Sequence, residues 1–118
     1  MIQLKRAYEK PSRRDGVRIL VDRLWPRGVS KDEARIALWL KDIVPSTALR
    51  KWFAHDPAKW HTFRRRYFNE LKKHPEEIAE ITRRADRGTV CLVFAAKDKE
   101  HNHALALKQF LEAREGVK

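Results

Sequence analysis

The stretch VRILVDRLWPRG, residues 17–28, contains both a strand and the point at which that strand ends. Its first half, residues 17–22, is β-branched and rich in apolar side chains, which is typical of a strand. Pro26 and Gly28 then break the strand. A continuous apolar run at residues 89–96 has the length of a strand buried on both faces, as in a parallel sheet. These two segments predict strands of a mainly parallel sheet.

The segment after the first strand predicts a helix. Residues 30–33, SKDE, have the pattern of a capping box, with serine at the cap and glutamate three residues later. Apolar side chains follow at the spacing of one helical face: Ile36, Trp39, Leu40 and Ile43. We therefore expect a helix from Ser30 that Pro45 ends.

Four further helices are predicted from their start signals and apolar stripes. A short helix begins after Pro45-Ser46, and a long one begins at Asp56-Pro57, where an acid precedes a proline. The next helix opens at His74-Pro75 and stops at Gly88. Asp98 is expected to cap a last helix from Lys99 to about Arg114.

The order of elements predicts an α/β fold: a small, mainly parallel sheet flanked by helices, in a single domain spanning residues 1–118. A third strand is expected near Ile2, Leu4 and Ala7. Since only three strands are evident, either the sheet is small or a fourth strand is hidden in the sequence.

The composition excludes several classes of protein. The 27 Lys and Arg against 16 Asp and Glu give a net charge of +11, but 11 aromatic residues argue against a disordered basic tail. One cysteine, Cys91, excludes a disulfide framework and a cysteine-only zinc site. The N-terminus has no apolar signal segment, and the longest apolar run is far shorter than a membrane span. We expect a cytoplasmic protein that does not enter membranes.

Two strand-end segments are the expected location of a site, because ligands of open α/β sheets bind beyond the carboxyl ends of the strands. The first segment carries Arg23 and Arg27, whose guanidinium groups match phosphate or carboxylate geometry, followed by Gly28 and the helix start at Ser30. This pattern predicts a site for a phosphate or nucleotide-like anion. The alternative is that both arginines are solvated, or pair with acidic neighbours.

The second segment clusters Asp98, His101, Asn102 and His103. Either histidine would serve as a general base, with Asp98 or Asn102 orienting it or a water. In a regular helix, however, residues two apart point to nearly opposite sides, so both histidines would not face one ligand. His55 is a third candidate, as a surface residue or as a further member of the site. No metal site is predicted, since the histidines lack a clear third ligand, and no cofactor motif is present.

The motifs VRILVDRLWPRG (17–28), LRKWFAHDP (49–57), AAKD (95–98) and HNHA (101–104) resemble the YeaO-like branch of a bacterial family, domain of unknown function 488. The resemblance covers nearly the whole chain and implies a small cytoplasmic α/β protein, with no reaction attached to it. The wider family has two cysteines where this chain has Phe94 and Asn102, a glutamate at Ala96 and an arginine at Ala104. The resemblance therefore implies no thiol mechanism here, and leaves His103, Asp98 and the strand-end arginines.

Two functions follow from these patterns. The first is a site for an anionic small molecule, used in binding or in hydrolysis. The second is a non-catalytic basic module that associates with nucleic acid through a helix carrying Arg64, Arg65 and Arg66. The residues alone leave open whether any reaction is catalysed, which ligand is bound and what the oligomeric state is.

Overall fold

The computed structural model describes residues 1–115, so the last three residues of the expected domain, 116–118, lie outside the described part. Its strands are β1 (Ile2–Arg6), β2 (Val17–Leu20), β3 (Leu38–Trp39) and β4 (Val90–Phe94). Its α-helices are α1 (Lys31–Ala34), α2 (Thr47–Phe53), α3 (Trp60–Leu71), α4 (Pro75–Arg87) and α5 (His103–Glu115). Short 3-10 turns lie at Arg13–Asp15, Lys41–Ile43 and Pro57–Lys59.

The four strands form one parallel sheet in the order β1-β4-β2-β3. All five residues of β4 are buried, and β4 hydrogen-bonds to β1 on one side and β2 on the other. A strand in this position needs apolar side chains on both faces, which explains its continuous apolar sequence. The predicted α/β fold with a parallel sheet is confirmed.

The two faces of the sheet are covered differently. The larger hydrophobic cluster joins alternate strand residues such as Ile19 and Leu92 to the buried sides of α2, α3, α4 and α5. The opposite face has a smaller cluster, in which Leu20, Cys91 and Val93 pack against Trp25, Val29, Ile36 and Trp39. Four of the five α-helices thus lie on one face, and the segment between β2 and β3 covers the other.

The predicted helix from Ser30 towards Pro45 is wrong beyond its first turn. Arg35 has a left-handed backbone conformation, with φ 52°, and ends α1. The chain then runs beside β2, where Ala37 N–H donates to Arg18 O at 2.9 Å and Leu40 N–H donates to Leu20 O at 2.9 Å. The exposed edge of β2 offers these hydrogen bonds, and they outweigh a weak helical preference. The strand absent from the sequence interpretation is therefore β3.

A buried charge cluster joins β1, β2 and α1. Asp15 accepts hydrogen bonds from Lys5 Nζ at 3.1 Å, Arg18 Nη1 at 2.7 Å and Ser12 N–H at 3.0 Å. Arg18 also donates through Nε to Ala34 O at 2.7 Å. Burial raises the pKa of Asp15, but the hydrogen bonds from Ser12, Lys5 and Arg18 outweigh it and hold the pKa below 3.8.

Replacing Asp15 by Asn should lower the free energy of unfolding by about 3 kcal/mol at neutral pH, because Arg18 would remain buried without its charged partner. A carboxyl whose pKa is lower in the folded state stabilises the protein above its unfolded pKa, and this contribution is lost as the pH falls. The difference between wild type and D15N should therefore shrink below pH 3.8. Urea unfolding across pH measures it, with the exposed Asp32→Asn as control. An equal loss at all pH values would contradict this account.

Gly16 and Gly28 both have positive φ, 65° and 78°, but only Gly16 is crowded. A Cβ at Gly16 would lie 2.1 Å from Thr89 O, where the chain enters β4, whereas nothing lies within 4 Å of a Cβ at Gly28. We expect Gly16→Ala to cost more than about 3 kcal/mol, and Gly28→Ala only about 1 kcal/mol from backbone strain. Urea unfolding of both variants compares them, and equal losses would refute the steric explanation.

Candidate functional site

A cavity of about 550 Å³ lies at the carboxyl ends of the strands. β2 and β4 are neighbouring parallel strands, so the segments that follow them meet at one edge. Tyr8, which follows the end of β1, completes the wall together with side chains of α2 and α3. The lining residues are Tyr8, Asp22, Arg23, Leu24, Trp25, Pro26, Arg27, Val44, Pro45, Arg50, Phe53, His55, Phe63, Ala95, Ala96, His101, Asn102 and His103.

Asp22 holds the two strand ends together. Its Oδ2 accepts a hydrogen bond from Ala95 N–H at 2.9 Å, and its Oδ1 lies 3.1 Å from His103 Nε2. Trp39 Nε1 donates to Asp22 O at 2.7 Å, which fixes the backbone at the same position. Asp22 therefore faces the β4 end of the site, and the ion pairs found among residues 1–115 include neither Arg23 nor Arg27.

Arg23 and Arg27 are exposed at the rim of the cavity. Between them, Trp25 Nε1 donates to Val29 O at 2.7 Å, and the Trp25 ring meets the Trp39 ring edge-on with 5.5 Å between centroids. This packing holds the loop in one conformation and keeps both guanidinium groups at the cavity.

Gly28 and Ser30 do not line the same cavity as the two arginines. They line a separate groove, which shares only Tyr8 with the first cavity. Ser30 Oγ accepts from Glu33 N–H at 3.4 Å, but α1 is a single turn of four residues. A short helix has little macrodipole, so the expected phosphate cradle of arginines plus helix start is not assembled at one place.

His101 is oriented by Asp98. The Asp98 carboxylate accepts hydrogen bonds from the backbone N–H groups of Glu100 and His101, and its Oδ2 lies 3.0 Å from His101 Nδ1. The Glu100 hydrogen bond foremost, and then that of His101, hold the pKa of Asp98 below its ordinary value. Because a carboxylate only accepts, Nδ1 carries the hydrogen, and Nε2 is left for a ligand. The ring also packs edge-on against Trp60 at 5.6 Å.

His103 has a different arrangement. Its Nε2 lies 2.7 Å from Val21 O, and since a carbonyl only accepts, Nε2 carries the hydrogen and is engaged with the end of β2. The opposite ring nitrogen, Nδ1, is not part of this contact. The two histidines therefore offer different atoms: Nε2 on His101, and Nδ1 on His103.

The last helix begins at His103, four residues later than the expected start at Lys99. Asn102 is the residue that caps α5, since its Oδ1 accepts from Leu105 N–H at 2.8 Å and its Nδ2 donates to Asp98 O at 2.8 Å. Asp98 instead stabilises a turn before the helix. His101 consequently lies outside the helix, and the expectation that it and His103 face opposite sides is wrong: both line the same cavity.

Arg50 is a lining residue that the sequence interpretation did not include. It lies three residues before Phe53 in α2, so the two side chains share a helix face, and both reach the cavity. Arg50 Nη2 donates to Thr47 Oγ1 at 3.2 Å, while its buried Nε has no hydrogen-bond partner in the described part of the chain. Its spacing from the apolar Phe53 is the signal that would have identified it.

Ala54 and His55 form a strained turn beside the cavity. Both residues have left-handed backbone conformations, with φ 47° and 58°, and Ala54 N–H donates to Arg50 O at 3.0 Å. The turn brings the exposed His55 to the cavity, with its ring 6.4 Å from that of Phe53. Such conformations cost about 1 kcal/mol or more in a residue other than glycine, asparagine or aspartate.

Ala54→Gly should raise the free energy of unfolding by about 1 kcal/mol, because glycine adopts the left-handed conformation without strain. Ala48→Gly, at an exposed position inside the same helix, should lower it by a similar amount. Opposite signs in urea unfolding are the expected result. A loss of stability in both variants would show that Ala54 is not strained.

Arg64, Arg65 and Arg66 lie on α3 and do not line the cavity. Arg65 is exposed, Arg64 packs over the Phe68 ring at 5.5 Å, and Arg66 packs over the Trp52 ring at 4.4 Å. Among residues 1–115, no group of three His, Cys, Asp or Glu side chains is placed to hold a metal ion. No helix in this part of the chain has the length and apolar character needed to cross a membrane.

Comparison with known proteins identifies relatives along the whole chain. A family profile described as "Inactive DUF488-N3 subclade" matches residues 1–116. The uncharacterized protein YeaO of Escherichia coli is 42% identical over 112 residues, which cover 95% of this chain and 97% of that protein. The uncharacterized protein Mb3100c of Mycobacterium bovis is 38% identical over 113 residues, covering 96% of this chain and 95% of that protein. No solved structure matches the chain.

Proposed function

The chain belongs to the DUF488 family, in a subclade described as inactive, and on this basis we propose that its strand-end cavity binds a nucleotide-like anion without turning it over. The observation that carries the proposal is the combination of three arginines, Arg23, Arg27 and Arg50, with an aromatic floor in one cavity. Its volume of about 550 Å³ suits a ligand of nucleotide size.

The arginines would hold the phosphate groups of the ligand. Guanidinium groups bind phosphate oxygens through paired, charge-assisted hydrogen bonds, and neither Arg23 nor Arg27 is occupied by an ion pair within residues 1–115. The buried, unpartnered Nε of Arg50 would gain a hydrogen bond from a ligand oxygen.

The base or sugar of the ligand would pack on the apolar part of the cavity. Phe53 and Phe63 stack on each other with 4.2 Å between centroids and close the floor of the cavity, with only 5% and 2% of their surface exposed. The partly exposed ring of Trp25 lines the wall. His101 Nε2 and His55 would supply polar contacts at the edge of this apolar part. Aromatic surface together with guanidinium groups is the combination that recognises nucleotides.

Phe94 and Asn102, which stand where the wider family has cysteines, favour binding without turnover over hydrolysis. Phe94 is buried in β4, and Asn102 is engaged as the cap of α5. The Asp98–His101 pair has the geometry of an oriented general base, whereas His103 Nε2 and Asn102 are engaged with backbone groups. Hydrolysis would therefore depend on His101 activating a water.

Arg27→Ala and Arg50→Ala should each weaken binding of ADP or ATP at least about tenfold, the worth of one charge-assisted hydrogen bond. The matched control is Arg14→Ala, which removes the same charge at an exposed position outside the cavity. Isothermal titration calorimetry at physiological salt measures the affinities. An equal loss in Arg14→Ala, or no binding of either nucleotide by wild type, would refute the proposed site.

The same samples decide between binding and hydrolysis. Chromatography of ATP and ADP after incubation with wild type should show no product. Product that disappears with His101→Ala would instead identify hydrolysis, and would overturn the statement that the ligand is not turned over.

A further inference from the structure

A basic surface is formed by α2, α3 and the turns on either side of α3. It consists of Lys51, Lys59, Arg65, Arg66, Lys72 and Lys73. Residues seven apart lie close to the same face of a helix, so Arg65 and Lys72, the C-terminal cap of α3, lie on one face. Lys59 and Arg66 both lie over the Trp52 ring. The ion pairs found within residues 1–115 involve none of these six cations.

One acidic side chain is too few to neutralise this surface. Residues 57–73 carry six basic side chains and one acidic side chain, Glu70. Glu70 accepts hydrogen bonds from Ser46 N–H at 2.7 Å and Ser46 Oγ at 2.6 Å. On α4, by contrast, Arg83 and Arg84 both pair with Glu80. Glu70 keeps its negative charge, but one carboxylate offsets only part of the charge of six cations, so the basic surface carries a net positive charge.

An aromatic side chain is built into the basic surface. The partly exposed ring of Trp52 has Arg66 above it at 4.4 Å and Lys59 Nζ at 5.1 Å, and Lys59 also donates to Trp52 O at 2.8 Å. These contacts hold two cations in defined positions, so less side-chain freedom is lost when they bind a polyanion.

The cavity and the basic surface are adjacent because the same two helices build both. In α2, Arg50 reaches the cavity and Trp52 belongs to the basic surface. In α3, Phe63 reaches the cavity and Arg66, one turn later, belongs to the basic surface. If the ligand in the cavity were the end of a longer polyanion, the adjoining part of that polyanion would contact the cations of the basic surface.

We propose that the ligand of the cavity is the terminal nucleotide of a single-stranded nucleic acid, whose following phosphates lie on the basic surface; this rests on the proposed function of the cavity. One nucleotide occupies the cavity, which accepts an unpaired end rather than a duplex. Tyr8, 52% exposed with Arg6 over its ring at 5.3 Å, is the exposed aromatic side chain of the cavity wall. Stacking surfaces along a basic groove are the means by which proteins hold single strands.

The test compares free nucleotides with oligonucleotides, and a linear oligonucleotide with a circular one that has no terminal nucleotide. Binding of AMP, ADP, a linear single-stranded oligonucleotide of about eight nucleotides and a circular oligonucleotide of the same sequence is measured at physiological salt. We expect the linear oligonucleotide to bind at least about tenfold more tightly than either free nucleotide, through the added phosphate contacts. The circular one, which has no end to enter the cavity, should bind at least about tenfold more weakly than the linear one.

Two double variants distinguish binding at the basic surface from a general effect of the net charge of the protein. Arg65→Glu with Lys72→Glu changes two exposed cations on α3, and Arg13→Glu with Arg14→Glu makes the same change in charge at exposed positions elsewhere. The first pair should reduce the affinity for the linear oligonucleotide to that for a free nucleotide. It should also make the negative slope of log affinity against log salt shallower by about 1.4, for the loss of two phosphate contacts. It should leave binding of ADP unchanged, and the second pair should leave both ligands within about twofold.

The outcomes distinguish this inference from the proposed function. If ADP binds through Arg27 but the linear oligonucleotide binds no more tightly, the cavity function stands and the nucleic-acid inference is wrong. Equal losses in the two charge-reversal pairs, or equal binding of linear and circular strands, also overturn the inference. Absence of ADP binding by wild type refutes the proposed function itself.

Discussion

The position of Asp22 is the constraint on which the site depends. One carboxylate oxygen holds Ala95 N–H after β4, and the other faces His103 at the start of α5, while the Asp22 backbone oxygen accepts from Trp39 in β3. His103 returns a hydrogen bond to Val21 O. Two neighbouring strands, the edge strand and the last helix are thereby joined at one residue. Asp22 Oδ2 is satisfied by Ala95 N–H, whereas the buried Oδ1 has no hydrogen-bond partner in the described part of the chain, so separating the strand ends would leave the whole carboxylate unsatisfied.

This joining explains which segments carry functional side chains. The parallel arrangement brings the ends of β1, β2 and β4 to one edge, and Asp22 then closes the gap between the last two. Because backbone contacts already determine the paths of the loops after β2 and β4, some side chains of these loops are not needed to hold the fold. Arg23 and Arg27 project from one loop and His101 from the other, and none of them is needed to hold the sheet together.

Three of the four strands and four of the five helices could be predicted because each has a local signal. The β4 sequence is apolar throughout because both of its faces are buried, and α3 and α4 carry regular apolar stripes behind clear start signals. β3 could not be predicted in this way. Its two residues lie in an apolar pattern with helical spacing, and only the unpaired edge of β2 makes that segment extended. Such long-range hydrogen bonding leaves no local pattern in the sequence.

The residues of the candidate site could likewise be predicted only in part. The strand-end rule, which depends only on sheet topology, predicted that Arg23, Arg27, His101 and His103 lie close together, and all four line the cavity, whereas Asp98 contacts His101 from outside the lining. It did not locate Arg50, which comes from a helix that crosses the edge, and it grouped Gly28 and Ser30 with residues that lie across Tyr8 from them. The start of α5 shows the physical reason. Asp98 and Asn102 are both competent caps, and the hydrogen bond from Asn102 Nδ2 to Asp98 O favours Asn102, so the backbone turns before the helix and His101 points into the cavity.

Phe94 and Asn102 on the one hand, and the arginines of the cavity on the other, contribute differently to the stability of the fold. Phe94 adds buried apolar area to the central strand, and Asn102 caps a helix, so both residues contribute to stability. The arginines, by contrast, are exposed or lack a partner for a polar atom, and contribute little to the fold. The strained turn at Ala54 and His55 costs stability outright. These residues contribute little to the fold and converge on one cavity, which supports the proposal that the cavity binds a ligand.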